Sequence, residues 1–178
     1  MARLDGVKAA AMRTKNSLRI SAYAANIRSM IDNGEAKRPN LSGCTCLRLR
    51  KASRCVSQIY DHYLQRHGLT ITQYGLLAHL SMLDGISIGA LAEKLIMDPT
   101  TLTRNLRPLE RQGLIRLAAD PRDRRSRRLH LTEQGRTALI EARPAWIEAQ
   151  RHIEEALGPS EAPVLHAALD HMLERLAS

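Results

Sequence analysis

The sequence contains no phenylalanine, and aromatic residues occupy only 3% of its 178 positions. The core must therefore be built from leucine, isoleucine, valine, alanine and methionine, a set that favours helices. Hydrophobic residues still amount to 44% and charged residues to 25%, which is ordinary for a globular protein. This length allows one domain, or two lobes that share a core.

Cysteines and long apolar runs are also scarce. Cys44, Cys46 and Cys55 are too few and too irregularly spaced for the disulfide framework of a small secreted domain. No stretch approaches the ~20 apolar residues of a membrane span. Apolar runs in the first 30 residues, such as Ala9 to Met12, are too short for a signal peptide. We therefore expect a cytoplasmic protein with no membrane partner.

Common enzyme and metal-site motifs are missing as well. There is no glycine-rich phosphate loop and no nucleophile motif, so we predict no enzymatic activity. His62 and His67 are five positions apart, as are His166 and His171, whereas ligands on one helix face lie three or four apart. We therefore predict neither a metal site nor a cofactor.

Positive charge is abundant but unevenly distributed within the net charge of +9. Residues 1–71 contain 13 Lys and Arg against 4 Asp and Glu, and residues 98–131 contain 9 against 4. Residues 132–178 reverse this balance, with 4 against 8. A basic face on a more acidic scaffold favours a polyanionic partner such as DNA or RNA, although charge also serves general solubility.

Hydrophobic periodicity predicts a mostly α protein with one small β-hairpin. The predicted helices cover residues 46–65, 73–83, 88–95, 99–112, 133–157 and a final segment after Ser160. Their predicted N-caps, from the second helix onward, are Thr72, Ser87, Asp98, Thr132 and Ser160. Between the fourth and fifth helices, alternation predicts strands at residues 114–117 and 128–131. This order is typical of a winged helix-turn-helix domain.

The helix after Asp98 has two faces of different chemistry. Leu102, Leu106 and Leu109 lie at i, i+4 and i+7, so they are predicted to face the core. The opposite side shows hydroxyls near its start and arginines further along, which suits phosphates and base edges of a major groove. A solvated amphipathic helix would show the same pattern. The predicted DNA-binding residues of this helix are Thr100, Thr101, Thr103, Arg104, Arg107 and Arg111.

The hairpin loop carries five arginines within residues 122–128. So many like charges on a small loop are unfavourable unless an external counter-charge is present, and a DNA minor groove supplies one. Asp120 and Asp123 can hold particular arginines by paired hydrogen bonds. A solvated charged loop is the alternative. The predicted wing residues are Arg122, Asp123, Arg124, Arg125 and Arg127.

From about Leu41 to Leu176, the chain resembles the MarR (multiple antibiotic resistance regulator) family. The stretches that carry this resemblance are Leu91–Leu95, Thr100–Arg104, Leu109–Ile115, Asp120–Arg125 and Leu129–Gly135. It implies a triangular homodimer with the recognition helix at Asp98–Arg111, a wing arginine at Arg125 that enters the minor groove, and Asp123 orienting it. The implied domains are a dimerisation region at 41–71 and 132–178 and a winged helix-turn-helix domain at 72–131. Residues 1–40 form a basic extension outside the resemblance.

The resemblance also implies how such a protein is used. Family members usually bind a pseudo-palindromic operator near their own promoter, and most repress. A small, often aromatic or phenolic ligand releases them by filling a crevice between the dimer helices and the winged domain. A two-fold protein with two recognition helices should span half-sites about one helical turn apart.

A thiol-based redox switch is an alternative signal input. In the hydroperoxide-sensing branch of the family, a reactive cysteine lies at a place similar to Cys46, with two tyrosines near its sulfur. Here Tyr60 matches one tyrosine by spacing, whereas Arg50 occupies the other position and could stabilise a thiolate. The effector or redox candidates are therefore Cys46, Arg50, Tyr60 and Tyr63.

Overall fold

The computed structural model describes residues 43–120 and 127–176. Its helices are α1 (Thr45–Leu64), α2 (Ile71–Met82), α3 (Ile88–Lys94), α4 (Pro99–Arg111), α5 (Glu133–Leu157) and α6 (Glu161–Leu176). Its strands are β1 (Ile86–Ser87), β2 (Ile115–Ala119) and β3 (Arg127–Leu131), and a 3₁₀ turn at Gln65–His67 follows α1. Backbone contacts place the boundary between two compact units at Leu49 and Arg50. The mostly α fold with a small β element is confirmed.

The sheet has three antiparallel strands in the order β1-β3-β2. The predicted hairpin is confirmed, with β2 and β3 paired from Ile115 opposite Leu131 to Ala119 opposite Arg127. The third strand was not predicted, because two residues are too short to show any alternation. Its pairing of Ile86 with Leu129 joins the hairpin to the preceding helices.

Leucine dominates the core of the second unit, as the composition requires. The largest fully buried side chains are Leu64, Leu77, Leu80, Leu91, Leu102, Leu109 and Leu129. Three of the described aromatic residues lie together: the Trp146 ring centroid lies 6.4 Å from that of Tyr60 and 6.0 Å from that of Tyr74. Burial raises the pKa of both tyrosines, and the negative charge of Glu154 raises that of Tyr60 further.

Side-chain caps begin most of the helices as predicted, but α2 begins two residues earlier than expected. Thr70, not Thr72, is its N-cap: the Thr70 hydroxyl accepts from the Gln73 backbone at 3.3 Å. The Gln73 side chain in turn accepts from the Thr70 backbone N–H at 2.9 Å. This reciprocal capping box satisfies two backbone donors, and only Thr70 stands at the spacing from Gln73 that it requires. The predicted caps Ser87, Asp98 and Thr132 are confirmed.

Candidate nucleic-acid interface

Helices α3 and α4 form the helix-turn-helix, joined by a tight turn at residues 95–98. The Met97 backbone N–H donates to the Ala92 carbonyl at 2.8 Å and so closes α3. Asp98 then caps α4, its carboxylate accepting from the backbone of Thr100 at 2.9 Å and of Thr101 at 3.0 Å. Pro99 stands at the first helical position, where a missing N–H costs nothing.

The two predicted faces of α4 are present. Leu102, Leu106 and Leu109 are 0%, 2% and 0% exposed, because they pack into the leucine core. The opposite side is solvent-exposed and carries Thr100, Thr101, Arg104, Arg107 and Arg111, with Thr103 and Pro108 half-buried at its borders. The Thr103 hydroxyl donates to the Pro99 carbonyl at 2.8 Å. The sequence prediction for the geometry of this helix is therefore confirmed.

A shallow groove of about 330 Å³ runs along this exposed face. It is lined by Pro99, Thr100, Thr103, Arg104 and Arg107. No acidic side chain lines it, and within the part of the chain that the structure describes neither arginine takes part in an ion pair. Cations without a counter-ion on an exposed helix are suited to an anionic partner such as a phosphate backbone.

The wing is described only at its flanks. Arg127 is exposed and opens β3 opposite Ala119. The other predicted wing residues, Arg122, Asp123, Arg124 and Arg125, lie outside the described residues, so the predictions for them stay predictions. Arg116, which the sequence analysis did not single out, is another exposed cation on β2.

An ion pair between a buried carboxylate and a half-buried arginine lies where the hairpin leaves the sheet. Asp120 is 6% exposed and is the only buried charged side chain in residues 43–120 and 127–176. Its Oδ2 accepts from Arg128 Nε at 2.8 Å and is 2.7 Å from Nη2. Arg128 Nη1 donates to the Gly85 carbonyl at 2.8 Å. The expected pairing of Asp120 with an arginine is present, but the sequence analysis left Arg128 out of the site.

Two of the four effector candidates join α1 to α5. Tyr60 is buried and its hydroxyl donates to Gln150 Oε1. The Tyr63 hydroxyl lies 3.1 Å from Nδ1 of His152. Arg50 is exposed on α1, and its carbonyl accepts from the Arg54 side chain at 3.2 Å. Cys46 is an exposed residue of the first compact unit.

The second unit also contains a cleft of about 630 Å³, whose lining residues the sequence analysis did not name. Its lining is His67, Gly68, Leu69, Gln112, Leu114, Gln134, Thr137, Ala138 and Glu141. These residues come from the turn before α2, the end of α4 and the first turns of α5. No periodicity along the chain could reveal a cleft assembled from three separate segments. None of the four effector candidates lines it.

Helix α5 is fastened directly to the end of α4 beside this cleft. The Thr132 hydroxyl donates to the carbonyls of Gly113 at 2.7 Å and of Leu114 at 3.0 Å. One turn later, Gly135 approaches so closely that a Cβ there would lie 2.0 Å from the Leu114 carbonyl oxygen. The cleft therefore lies where α4 and α5 are directly connected.

Other site types are not represented in the described segments. None of the helices in those segments has the length and hydropathy of a membrane span. No three His, Cys, Asp or Glu side chains cluster there as metal ligands. Cys44, Cys46 and Cys55 are all free thiols, and Cys46 and Cys55 are exposed.

Comparison with known proteins connects this interface to transcription regulators. The pattern of the MarR family matches residues 67–126. The regulator SarZ of Staphylococcus haemolyticus is 32% identical over 95 residues, and the transcriptional activatory protein BadR of Rhodopseudomonas palustris is 30% identical over 115 residues. These matches cover 53% and 63% of this chain, and 65% and 66% of the relatives, slightly under two thirds of each.

A solved structure matches over a longer stretch. The transcriptional regulator MosR of M. tuberculosis, in complex with DNA, is 35% identical to this chain, with a TM-score of 0.67. The match covers 74% of this chain and 95% of that one. The similarity therefore extends over nearly the whole of a DNA-bound regulator.

Proposed function

Since the chain belongs to the MarR family of transcriptional regulators, we propose that it is a cytoplasmic, homodimeric, sequence-specific DNA-binding regulator rather than an enzyme. The observation that carries this proposal is the exposed face of α4, where Thr100, Arg104 and Arg107 line a groove free of acidic side chains. In this proposal α4 enters the major groove and the hairpin tip, with Arg125 oriented by Asp123, enters the adjacent minor groove.

The chemistry of α4 fits direct reading of bases. An arginine fork can donate to O6 and N7 of one guanine, and a threonine hydroxyl can bond a base edge or a phosphate. Each good bidentate pair contributes about 1–3 kcal/mol of discrimination against a wrong base. The N-terminus of α4, with two backbone N–H groups already bonded to Asp98, lies beside these side chains. Asp98 therefore orients the helix and Thr100 to Arg111 supply the contacts.

Exposed aliphatic side chains on the long helices support the dimer. On α6, Val164 is 69% exposed, Leu173 49% and Leu176 78%, while Ala162 is the only buried residue that the structure describes there. On α5, Ile140 is 63% exposed and Ile147 50%. Apolar surface of this extent on a globular chain is usually covered by a partner. A second copy that contributes the same helices would cover it and present two recognition helices to a pseudo-palindromic operator.

The test of DNA binding compares the DNA affinity of a variant in α4 with that of a variant elsewhere on the surface. A duplex selected from random DNA by the wild-type protein serves as the probe, and affinity is followed by fluorescence anisotropy. We expect Arg107→Ala to weaken binding by about 1–3 kcal/mol per half-site and to lower the salt dependence. The control Arg151→Ala removes an exposed arginine of α5 and should bind as the wild type does. If Arg107→Ala binds the duplex as tightly as the wild type does, α4 is not part of the DNA interface.

We further propose that the protein represses transcription and is released by a small ligand. The cleft of about 630 Å³ supports this step, because its lining joins the end of α4 to α5. A molecule bound in this cleft would act on α5 and on the end of α4 together, and so change the position of α4 relative to the α4 of the second copy. If the protein represses, a reporter gene downstream of the selected operator should be more active in cells that lack the protein. Lower reporter activity in those cells would indicate an activator instead.

A redox signal is a second candidate, favoured by the exposure of the Cys46 thiol. A hydroperoxide would transfer one oxygen to the thiolate, giving a sulfenic acid while the peroxide leaves as an alcohol or water. Peroxide should then weaken DNA binding by the wild type and leave Cys46→Ser unaffected. Cys55→Ser, which removes another exposed thiol, is the matched control and should respond as the wild type does. Loss of binding by peroxide-treated Cys46→Ser would end the redox hypothesis.

A further inference from the structure

Strand β3 holds the turn between α2 and β1 through three consecutive residues. Arg128 donates to the Gly85 carbonyl at 2.8 Å, and His130 Nδ1 lies 3.1 Å from a carboxylate oxygen of Asp84. Between them, the Leu129 carbonyl accepts from the Gly85 backbone at 2.9 Å. We call this group, together with the bond from Arg128 to Asp120, the wing-root clasp. Its members are Asp84, Gly85, Asp120, Arg128, Leu129 and His130.

Arg128 is the centre of the wing-root clasp. Nε and Nη2 approach Asp120 while Nη1 donates to Gly85, so all three nitrogens of the guanidinium group have partners within the protein. An arginine whose three nitrogens are engaged around a nearly buried carboxylate is poorly placed to bind a phosphate or a base as well. Arg127, the preceding residue, is by contrast exposed.

The backbone pairing between β1 and β3 alone gives the hairpin little support on the side of β1. Strand β1 consists of only two residues, Ile86 and Ser87, which pair with Leu129 and Arg128. An isolated two-stranded hairpin is marginally stable in water, and a site must be held to within about 0.5 Å and 10–20° to act reliably. The charge-assisted pair between half-buried Arg128 and buried Asp120, at the point where β2 ends, therefore adds support that two ladder residues do not supply.

We propose that Arg128 is a positioning residue for the wing and not one of its DNA contacts. Through Asp120 and the Gly85 carbonyl it sets the direction in which the hairpin leaves the sheet relative to the helix-turn-helix. This inference rests on the proposed function, since it assumes that the hairpin tip contacts DNA. In this inference the arginines at the hairpin tip contact the duplex, whereas Arg128 at the end of the basic segment 122–128 orients the hairpin that carries them.

The test is a double-mutant cycle. Arg128→Gln is made in the wild type and in a wing-tip variant in which Arg122, Arg124 and Arg125 are all alanine. If Arg128 acts through the wing, its replacement should weaken binding about tenfold in the wild type but less than about twofold in the wing-tip variant. In an Arg104→Ala background, where the wing is intact, the loss should stay at about tenfold. Arg151→Gln controls for the removal of one exposed charge and should bind as the wild type does.

Each outcome has a defined meaning. A general loss of structure would weaken binding equally in every background, and such a result would overturn the inference. Unchanged binding by Arg128→Gln in the wild type would overturn it as well. If the wing-tip variant itself binds as tightly as the wild type, the proposed role of the wing fails first, and the inference fails with it.

A variant that does not fold is recognised by its unfolding curve, and two milder changes then take its place. Arg128→Lys keeps the charge but has one nitrogen, which cannot bond Asp120 and Gly85 with the geometry of the fork. Asp120→Asn keeps the shape and removes the charge. Both should show the same background dependence with a smaller loss, and an equal loss in all backgrounds would overturn the inference.

Discussion

Ile96 has an unusual backbone conformation for its residue type. It lies in the turn between α3 and α4 with φ of +52°, the only positive φ of a non-glycine residue in the described ranges. The neighbouring bond from the Met97 N–H to the Ala92 carbonyl closes a motif that usually carries glycine at this position. A left-handed conformation costs about 1–2 kcal/mol in an ordinary L-residue, and a β-branched side chain is among the least suited. The turn that orients α4 is therefore locally strained.

Replacing Ile96 by glycine should stabilise the protein. The side chain is 66% exposed, so little packing is lost, and we expect the free energy of unfolding to rise by about 1 kcal/mol. Urea denaturation at a fixed protein concentration measures this change. Gly68→Ala is the reverse control, because Gly68 has φ of +68° and open space around its Cβ position. It should destabilise by a similar amount, and a destabilised Ile96→Gly would mean that the isoleucine side chain makes stabilising contacts.

At the scale of elements, the junction between α4, β2 and α5 is held both by hydrogen bonds and by close backbone packing. The Thr132 backbone donates to the Leu114 carbonyl at 3.1 Å, and its hydroxyl bonds the same carbonyl and that of Gly113. Gly135 then packs its Cα against Leu114 and Leu131. No side chain larger than hydrogen fits at this position, because the atom in the way is backbone and cannot rotate aside.

Gly135→Ala should therefore destabilise the protein by about 3 kcal/mol or separate α5 from the end of α4. Thermal unfolding measures the first effect, and DNA affinity at low temperature reports the second. Gly75→Ala is the matched control: Gly75 also lies within a helix, α2, but nothing approaches its Cβ position within 4 Å. That change should stabilise by up to about 1 kcal/mol through helix propensity. A Gly135→Ala protein as stable as the wild type would show that α5 can move away from the end of α4 without a loss in the free energy of unfolding.

Much of this element order could be predicted, because it depends on local signals. Asp98 and Pro99 mark the start of α4, and Gly113, with φ of +71°, follows its end. Thr72 was wrongly predicted as a cap because two threonines compete there, and the choice depends on a reciprocal bond with Gln73. Strand β1 and the wing-root clasp could not be predicted, since both depend on tertiary pairing with β3.

At the scale of the whole molecule, the exposed aliphatic residues of α5 and α6 bear on the proposed oligomeric state. Ile147 is 50% exposed and Leu173 49%, whereas the interior of the second unit is filled by leucines with almost no exposure. Because the proposed dimer buries this surface, its stability should depend on protein concentration. DNA affinity should depend on concentration in the same way.

Leu173→Glu should shift the protein from dimer to monomer. A carboxylate at a buried apolar contact loses its hydration without gaining a partner, which opposes association. Sedimentation velocity measures the change in mass, and binding to a duplex with two half-sites should weaken in parallel. The control Glu174→Gln changes the adjacent exposed residue of α6 and should leave a dimer. A dimeric Leu173→Glu protein would mean that the two copies meet on another surface.

The way in which β3 passes into α5 has a mechanical consequence. Strand β3 ends at Leu131 and α5 begins at Glu133, so only Thr132 stands between the hairpin and a helix of 25 residues. The Thr132 backbone N–H and hydroxyl donate to carbonyls of Gly113 and Leu114, which restricts any hinge motion at this residue. The hairpin and the long helix α5 should therefore rotate together as one rigid body. Tilting the long helices against each other would then change the distance between the two minor grooves that the protein can reach at once.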